Sequence, residues 1–252
     1  MKIVIPLSLV PDLVEELEID ESGTAIDTTW TRMILSEFDD HAIEQAILIK
    51  EEIGGEVIIV GPDIGEVDDA LYSAAAKGGD RFIKLQDDFT GMNNHAYARC
   101  LADLMKELQP DLILKGVQSH NDLDGQVGAL LAEYLGFPYI GYVAGIRVID
   151  DTVLVKKEYP GGLIGEYSVR LPAVLGIQAS EKPPRYVAFS KIRQAMQTAV
   201  IEDEPIILES GMGLSISRMY PQETGTHAQM IEGSPAEIAE RILHLMIEAG
   251  IL

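Results

Sequence analysis

The sequence predicts an α/β fold in which a parallel sheet is covered by helices on both faces. In the first half of the chain, short aliphatic and β-branched runs alternate with segments whose apolar residues recur at helical spacing. Such runs are typical of strands buried on both faces, and such spacing is typical of amphipathic helices. The chain has 252 residues, 47% of them hydrophobic, so it can bury a large core. This composition excludes disordered, collagen-like and coiled-coil proteins.

Four strands and four helices are expected to alternate from the amino terminus. The strands are expected at 2–5, 57–60, 81–85 and 111–115. The helices are expected around the apolar repeats at 38–49, 67–75, 93–108 and 125–135. Pro110 ends the third helix, and Gly136 followed by Pro138 ends the fourth. Strand and helix in this order favour parallel pairing of the strands.

An antiparallel extension of the sheet is expected after these elements. Its strands are expected at 143–148, 153–157 and 166–171. Turn sequences separate them, Asp150-Asp151 in the first connection and Pro160-Gly161-Gly162 in the second. Short turns of this kind join antiparallel neighbours.

Regular periodicity fades after Glu181 for roughly fifty residues, which is long for a compact domain. A helix is expected at 234–249, with Ser234 as its N-cap. The irregular stretch is too apolar for disorder, so it is expected to be an arm that packs on another chain. The expected domains are therefore 1–180 and 181–252.

The charge is the unusual feature of the composition. Lys and Arg number 19 against 41 Asp and Glu, giving a net charge of −22. Most of the excess lies in residues 1–180, which hold 31 acidic and 13 basic residues. A chain this acidic repels phosphate backbones and anionic lipids, so nucleic acid and membrane surfaces are not expected partners.

Cys100 is the single cysteine and cannot form an internal disulfide. A reducing, cytoplasmic location is therefore expected, and no targeting segment stands out. Cys100 falls within a predicted helix, where a buried, unreactive thiol is expected. The longest apolar stretch, 127–146, is interrupted by Glu133 and Pro138, so it is expected to be core and not a membrane span.

Sequence signatures of catalysis are absent. The chain has no Walker sequence, no G-x-G-x-x-G, no nucleophile elbow and no H-E-x-x-H. The five histidines show no metal-ligand spacing. No catalytic or metal-binding residue is therefore assigned, and a bond-making enzyme is not expected.

A polar loop at 116–128 is the best candidate site. It begins at the end of a predicted strand and runs into a predicted helix, and ligands of α/β sheets bind at such edges. Gly116 and Gly125 would let a ligand approach the backbone closely. Neutral donors and acceptors suited to adenine or ribose are supplied by Gln118, Ser119, Asn121 and Gln126. From the residues alone, a nucleotide site and a loop that merely caps the helix are about equally supported.

A second segment, 36–39, precedes the first predicted helix. Taken alone, it predicts only a helix start, with Ser36 as the capping residue and Phe38 as a hydrophobic staple.

An ordered set of segments resembles the β subunit of electron-transfer flavoproteins over residues 1 to about 200. The C-terminal helix is also similar to bacterial members. The segments are Phe38-Asp39 leading into Ala42-Ile43-Glu44-Gln45-Ala46 and on to Lys50-Glu51, Ala75-Ala76-Lys77-Gly78-Gly79-Asp80-Arg81, the 116–128 loop, Gly161-Gly162, Leu171-Pro172-Ala173-Val174 and Pro184-Arg185-Tyr186.

The resemblance implies a flavodoxin-like parallel sheet of the adenine-nucleotide α-hydrolase type, with a nucleotide-binding domain at 1–180 and an arm at 181–252 that embraces an α subunit. It implies that the α subunit holds most of an FAD. The heterodimer would carry electrons from dehydrogenases, typically the acyl-CoA dehydrogenases of fatty-acid β-oxidation, to a quinone reductase or another acceptor. The β subunit would hold AMP or, in electron-bifurcating members, a second FAD.

The resemblance also implies two sets of site residues. The first would contact the nucleotide, with Phe38 also near the flavin of the α subunit: Pro6, Ser36, Glu37, Phe38, Asp39, Val60, Gly116, Val117, Gln118, Ser119, His120, Asn121, Asp122, Leu123, Asp124, Gly125, Gln126 and Val127. The second would form a loop that docks the dehydrogenase: Arg185, Tyr186 and Phe189. For Phe189, packing on the α subunit is the alternative.

Three departures from the family pattern affect these expectations. Asp124 stands where bifurcating members have Thr, and a carboxylate beside a pyrophosphate is unfavourable, so AMP is favoured over a second FAD. The loop shares only Gln126 and Gly128 with the pattern of AMP-binding members. The lysine-rich run expected after the docking loop is replaced by Arg193-Gln194-Ala195-Met196.

Two alternatives use the same fold. A nucleotide sensor of the universal-stress type would normally stop near the sheet, so the apolar segment after Glu181 argues against it. An ATP-pyrophosphatase-type ligase would need a phosphate loop where Pro6-Leu7-Ser8-Leu9 stands.

Overall fold

The computed structural model describes residues 1–120, 122, 125–208, 213–221, 228 and 230–252. Its strands are β1 (Lys2–Pro6), β2 (Leu9–Pro11), β3 (Met33–Leu35), β4 (Glu56–Pro62), β5 (Arg81–Gln86), β6 (Leu112–Gly116), β7 (Tyr139–Ile149), β8 (Thr152–Tyr159), β9 (Leu163–Arg170), β10 (Ala173–Ile177) and β11 (Ile201–Pro205). Its helices are α1 (Glu37–Ile53), α2 (Val67–Lys77), α3 (Asn94–Leu108), α4 (Val127–Leu135), α5 (Phe189–Thr198) and α6 (Pro235–Glu248). The chain divides into two compact units, Met1–Arg218 and Met219–Leu252.

Nine strands form one mixed sheet in the order β11-β5-β4-β1-β6-β10-β7-β8-β9. The pairs from β11 to β7 are all parallel, and β7-β8 and β8-β9 are antiparallel. The short strands β2 and β3 form a separate antiparallel pair. The α/β class, the mostly parallel sheet and its antiparallel extension are therefore confirmed.

The core lies on both faces of the sheet, as the strand runs predict. On one face, Ile43 and Ile47 of α1 and Leu71 of α2 pack on the sheet. On the other face, Leu101 and Leu131 represent the apolar sides of α3 and α4. The central strands β1, β4, β6 and β10 are buried almost throughout, which explains their nearly continuous apolar sequences.

Five elements were not predicted from the sequence: β2, β3, β10, α5 and β11. Strand β10 returns to the middle of the sheet between β6 and β7, and it pairs parallel with both. The stretch after Glu181 was expected to be irregular, but it contains α5 and β11. Strand β11 has an acidic sequence because it is an exposed edge strand, where Arg81 of β5 forms two hydrogen bonds of 2.6 and 2.8 Å with Glu202.

The second unit contains α6, whose predicted N-terminus is confirmed. Ser234 accepts a hydrogen bond from the backbone of Glu237, and the Glu237 carboxylate accepts one from the backbone of Ser234. No residue of α6 is buried. Across the described ranges, every helix is too short or too polar to traverse a lipid bilayer.

Candidate functional site

The carboxyl ends of the central parallel strands bring several of the selected residues together. Pro6 ends β1 and lies opposite Val60 of β4, while Gly116 ends the neighbouring strand β6. The first turn of α1 lies against this edge, because a Cβ atom on Gly116 would be 2.8 Å from the carbonyl carbon of Phe38. Residues 36–39 and the start of the 116–128 loop are therefore neighbours in space.

A buried ion pair joins these segments. The ammonium group of Lys115 lies 2.8 and 2.9 Å from the two carboxylate oxygens of Asp39, and their side chains are 3% and 0% exposed. Asp39 also accepts hydrogen bonds from the backbone N–H groups of Ser8 (2.7 Å) and Gly116 (2.8 Å). Lys115 donates a further bond of 2.9 Å to the Ser8 hydroxyl. The hydrogen bonds of the Asp39 carboxylate thus connect α1 with β6 and with Ser8, which follows β1. Its oxygens accept from groups of the chain itself.

Lys115 was not selected from the sequence as a site residue. The sequence feature that could have identified Lys115 is its position within an otherwise aliphatic strand, every residue of which is buried. A buried lysine needs a partner, so such a position predicts a carboxylate nearby. The sequence does not say which carboxylate, because Asp39 lies 76 residues away along the chain.

The N-terminus of α1 is not capped in the expected way. Ser36 is buried and occupies the N-cap position, yet its side chain forms no hydrogen bond with the N–H groups of the first turn. The expected capping role of Ser36 is therefore wrong. The same end of the helix carries an exposed Glu37 and a half-buried Phe38.

The N-terminus of α4 is occupied by a carboxylate of the chain itself. Asp122 is buried and accepts hydrogen bonds from the backbone of Gln126 (3.1 Å) and Val127 (3.4 Å). The Asp122 carboxylate also accepts a hydrogen bond of 2.5 Å from the side-chain amide of Asn94. The sequence predicts that these N–H groups are open to an anionic ligand, but two of them donate hydrogen bonds to Asp122 instead.

The rest of the loop varies in exposure. Val117 and Ser119 are buried, Gln118 is half-buried, and His120 is exposed. Three selected residues lie outside the described part of the chain: Asn121, Leu123 and Asp124.

Two glycines of the loop, Gly116 and Gly125, lie in close contact with other atoms of the chain. A Cβ atom on Gly116 would be 2.7 Å from Oδ1 of Asp39. Gly125 has a φ of +63°, and a Cβ atom there would lie 2.6 Å from the carbonyl oxygen of Val117. Both glycines are needed for packing of the loop itself, whether or not a ligand also approaches them.

The expected docking segment begins at a residue that is fixed to α1. Arg185 donates hydrogen bonds of 2.9 to 3.1 Å from its guanidinium group to Glu44, and bonds of 2.7 and 3.2 Å to Glu51. These two carboxylates raise the pKa of Arg185, and the bond from Arg185 lowers the pKa of Glu51. Glu44 is buried and also accepts from the backbone N–H of Arg185 at 2.9 Å.

Two further contacts attach the preceding residues to α1. His41 Nδ1 lies 2.8 Å from the Ser180 hydroxyl, and the side-chain amide oxygen of Gln45 accepts a 3.0 Å bond from the backbone of Glu181. Neither His41 nor Gln45 was predicted as a functional residue from the sequence. The sequence feature that could have identified them is the set of polar residues that lie between the apolar ones at helical spacing. Such a pattern indicates that the helix packs on a second segment with its polar face.

The remaining docking residues are exposed. Tyr186 is 91% exposed and Phe189 is 67% exposed, with the guanidinium carbon of Arg193 5.2 Å from the centre of the Phe189 ring. The three selected residues therefore differ in role: Arg185 holds the segment in place, while Tyr186 and Phe189 face outward.

Cys100 lies on α3 and is buried, as predicted. Burial raises the pKa of its thiol to about 12, so the group is protonated at neutral pH.

The chain is similar to proteins of one family over nearly its whole length. The family described as "Electron transfer flavoprotein domain" matches residues 24–206. The electron transfer flavoprotein subunit beta of Methylophilus methylotrophus is 32% identical over 98% of each chain. The proteins of the same name from Clostridium acetobutylicum and Syntrophomonas wolfei are 30% and 29% identical, covering 90% and 92% of this chain and 88% and 90% of their own. The chain belongs to the electron transfer flavoprotein family, among its β subunits.

Proposed function

We propose that the chain pairs with an α subunit to form a heterodimer that carries electrons from acyl-CoA or other dehydrogenases to a quinone reductase or another acceptor. The observation that supports this role best is the similarity to β subunits over the full chain. FAD, held mainly by the α subunit, would supply the redox chemistry. The residues of this chain would bind a nucleotide, cover part of the flavin and present a docking segment.

The proposed nucleotide is AMP at the carboxyl ends of β1, β4 and β6. Pro6 and Val60 are buried apolar residues that lie opposite each other at the ends of β1 and β4, and the N-terminus of α1 lacks a side-chain cap. Uncapped N–H groups beside apolar strand ends suit a mononucleotide. Asp122 at the N-terminus of α4 makes a pyrophosphate less favourable, because a second phosphate would add negative charge near that carboxylate. This supports AMP over a second FAD.

The proposed docking surface consists of Tyr186 and Phe189. Exposed aromatic side chains are frequent anchors of protein interfaces, and here they extend from a segment held by Arg185. A segment whose base is fixed loses little conformational freedom on binding. Residues 219–252 would contact the α subunit, which would bury the apolar side chains that α6 exposes.

The proposed function is tested by the nucleotide content of the purified heterodimer. The chain is co-expressed with its α subunit, the complex is denatured, and the released nucleotides are separated and quantified. We expect one FAD and one AMP per heterodimer. Two FAD molecules would assign the complex to the electron-bifurcating type, and a complex without flavin would refute the electron-transfer role.

A further inference from the structure

A cleft of about 370 Å³ lies beside the candidate nucleotide loop, on the side of β6 away from β1 and β4. Val117 of the loop forms one wall, and the other walls come from β7, β8 and β9. Four of the nine tyrosines of the chain line it, together with one lysine: Tyr139, Tyr142, Tyr159, Tyr167 and Lys157. Among the described residues that line it, none is acidic, although the chain contains 41 Asp and Glu.

Lys157 is flanked by two aromatic rings. Its ammonium nitrogen lies 5.5 Å from the centre of the Tyr142 ring and 5.4 Å from that of Tyr159. Among the residues that the structure describes, no carboxylate forms an ion pair with Lys157. The cleft therefore presents a positive charge held by aromatic faces, which is a rare environment in so acidic a protein.

Tyr142 has an unfavourable backbone conformation. Its φ is +61°, a left-handed value that disfavours residues with a Cβ atom. Glycine would adopt this value freely, yet the position holds a tyrosine that is 46% exposed. Strained residues are concentrated at ligand sites, and here the strain places an aromatic ring at the mouth of the cleft.

The Tyr139 ring forms a rigid wall of the cleft because three glycines make room for it. A Cβ atom on Gly176 or Gly141 would lie 2.6 or 2.8 Å from the Tyr139 hydroxyl, and one on Gly128 would lie 3.1 Å from the ring. Burial raises the pKa of Tyr139 to about 12, so its hydroxyl stays neutral and can donate a hydrogen bond. The neighbouring hydroxyls of Tyr159 and Tyr167 lie 2.5 Å apart.

We propose that this cleft binds a planar aromatic anion, a flavin or purine nucleotide whose ring stacks on Tyr142 and whose anionic group pairs with Lys157. Flat ring faces, neutral phenol donors and one free ammonium group match that class. The site goes beyond the AMP site proposed above, which lies at β1, β4 and β6.

The test uses FMN and AMP as probes of the purified heterodimer with its α subunit. The complex is dialysed to equilibrium against each probe, and bound FMN is separated from resident FAD by chromatography. We expect saturable uptake of about one probe molecule per heterodimer, in addition to the resident FAD and AMP. The variants Tyr142→Gly and Lys157→Gln should each weaken uptake at least about tenfold. Lys106→Gln, which removes an exposed lysine on α3, serves as the matched control for Lys157→Gln and should leave uptake unchanged.

Tyr142→Gly also separates binding from folding. Glycine relieves the left-handed strain, so thermal unfolding should occur at the same or a higher temperature. No uptake, or uptake unchanged by both variants, would overturn the proposal. If the variants instead dissociate the heterodimer on size-exclusion chromatography without affecting nucleotides, the cleft receives a segment of the α subunit and the proposal is wrong.

Discussion

Replacing Lys115 by methionine should destabilise the protein strongly, because it removes one partner of a buried ion pair. Asp39 would remain fully buried, with the N–H groups of Ser8 and Gly116 as its remaining donors. Breaking a buried pair in this way costs about 3 to 5 kcal/mol. Since two backbone donors stay in place, we expect a loss of about 3 kcal/mol, which is a large part of the usual stability of about 5 to 15 kcal/mol. Urea unfolding followed by circular dichroism at one fixed protein concentration measures the loss.

The double variant Lys115→Met/Asp39→Asn tests the cause of the loss. Removing both charges leaves no unpaired carboxylate, so it should be at least about 1.5 kcal/mol more stable than the sum of the two single losses predicts. Lys106→Met is the matched control, since Lys106 forms an exposed pair with Asp103 and should lose less than about 1 kcal/mol. Additive effects of the two charge changes, or a loss with Lys115→Met no larger than with Lys106→Met, would refute the reasoning.

Four other predictions concern the docking segment and Cys100. Arg185→Gln leaves the buried Glu44 without its charged partner and loosens the segment, so electron transfer from the dehydrogenase should slow severalfold while bound FAD is unchanged; an unchanged rate would contradict the positioning role. Phe189→Ala should also slow that transfer without loss of FAD, and loss of FAD instead would exclude a docking role. Because Arg185 lowers the pKa of Glu51 below its usual 4.5, the ion pair stabilises the protein above that pH and is lost on further acidification. The unfolding midpoint should therefore fall more steeply below pH 4.5 for the wild type than for Glu51→Gln, and parallel curves would argue against the pair. Cys100 should resist iodoacetamide at neutral pH in the native state and react once the protein is unfolded; rapid native labelling would contradict its raised pKa.

The strands and helices of the first half could be predicted because their apolar spacing reflects burial directly. Strand β11 could not, since its exposed edge position removes the apolar signal and leaves acidic residues such as Glu202. Strand β10 is apolar, but its place between β6 and β7 depends on where the chain returns after the antiparallel strands. The position of β10 in the sheet is decided by the arrangement of all the strands, so the residues of β10 alone carry no pattern that predicts it.

The candidate site was predictable as a region and less so in its chemistry. The end of β6 and the start of α4 could be placed from strand and helix boundaries. The sequence could not show that Asp39 pairs with Lys115, or that Asp122 covers the N-terminus of α4, because both depend on contacts between distant segments or on a loop conformation. The polar residues near the end of β6 therefore predicted where a site could lie. They did not predict which side chains form hydrogen bonds with other residues of the chain.

Helix α1 contacts both the proposed nucleotide site and the proposed docking segment. Its first turn is fixed to the sheet through Asp39, and its later turns hold the docking segment through Glu44, Gln45 and Glu51. A chimaera that imports only residues 180–189 from a relative with different partners would therefore lack the matching side chains on the helix. Exchange of partner specificity between such proteins requires the outer face of α1 to be transplanted together with the segment it holds.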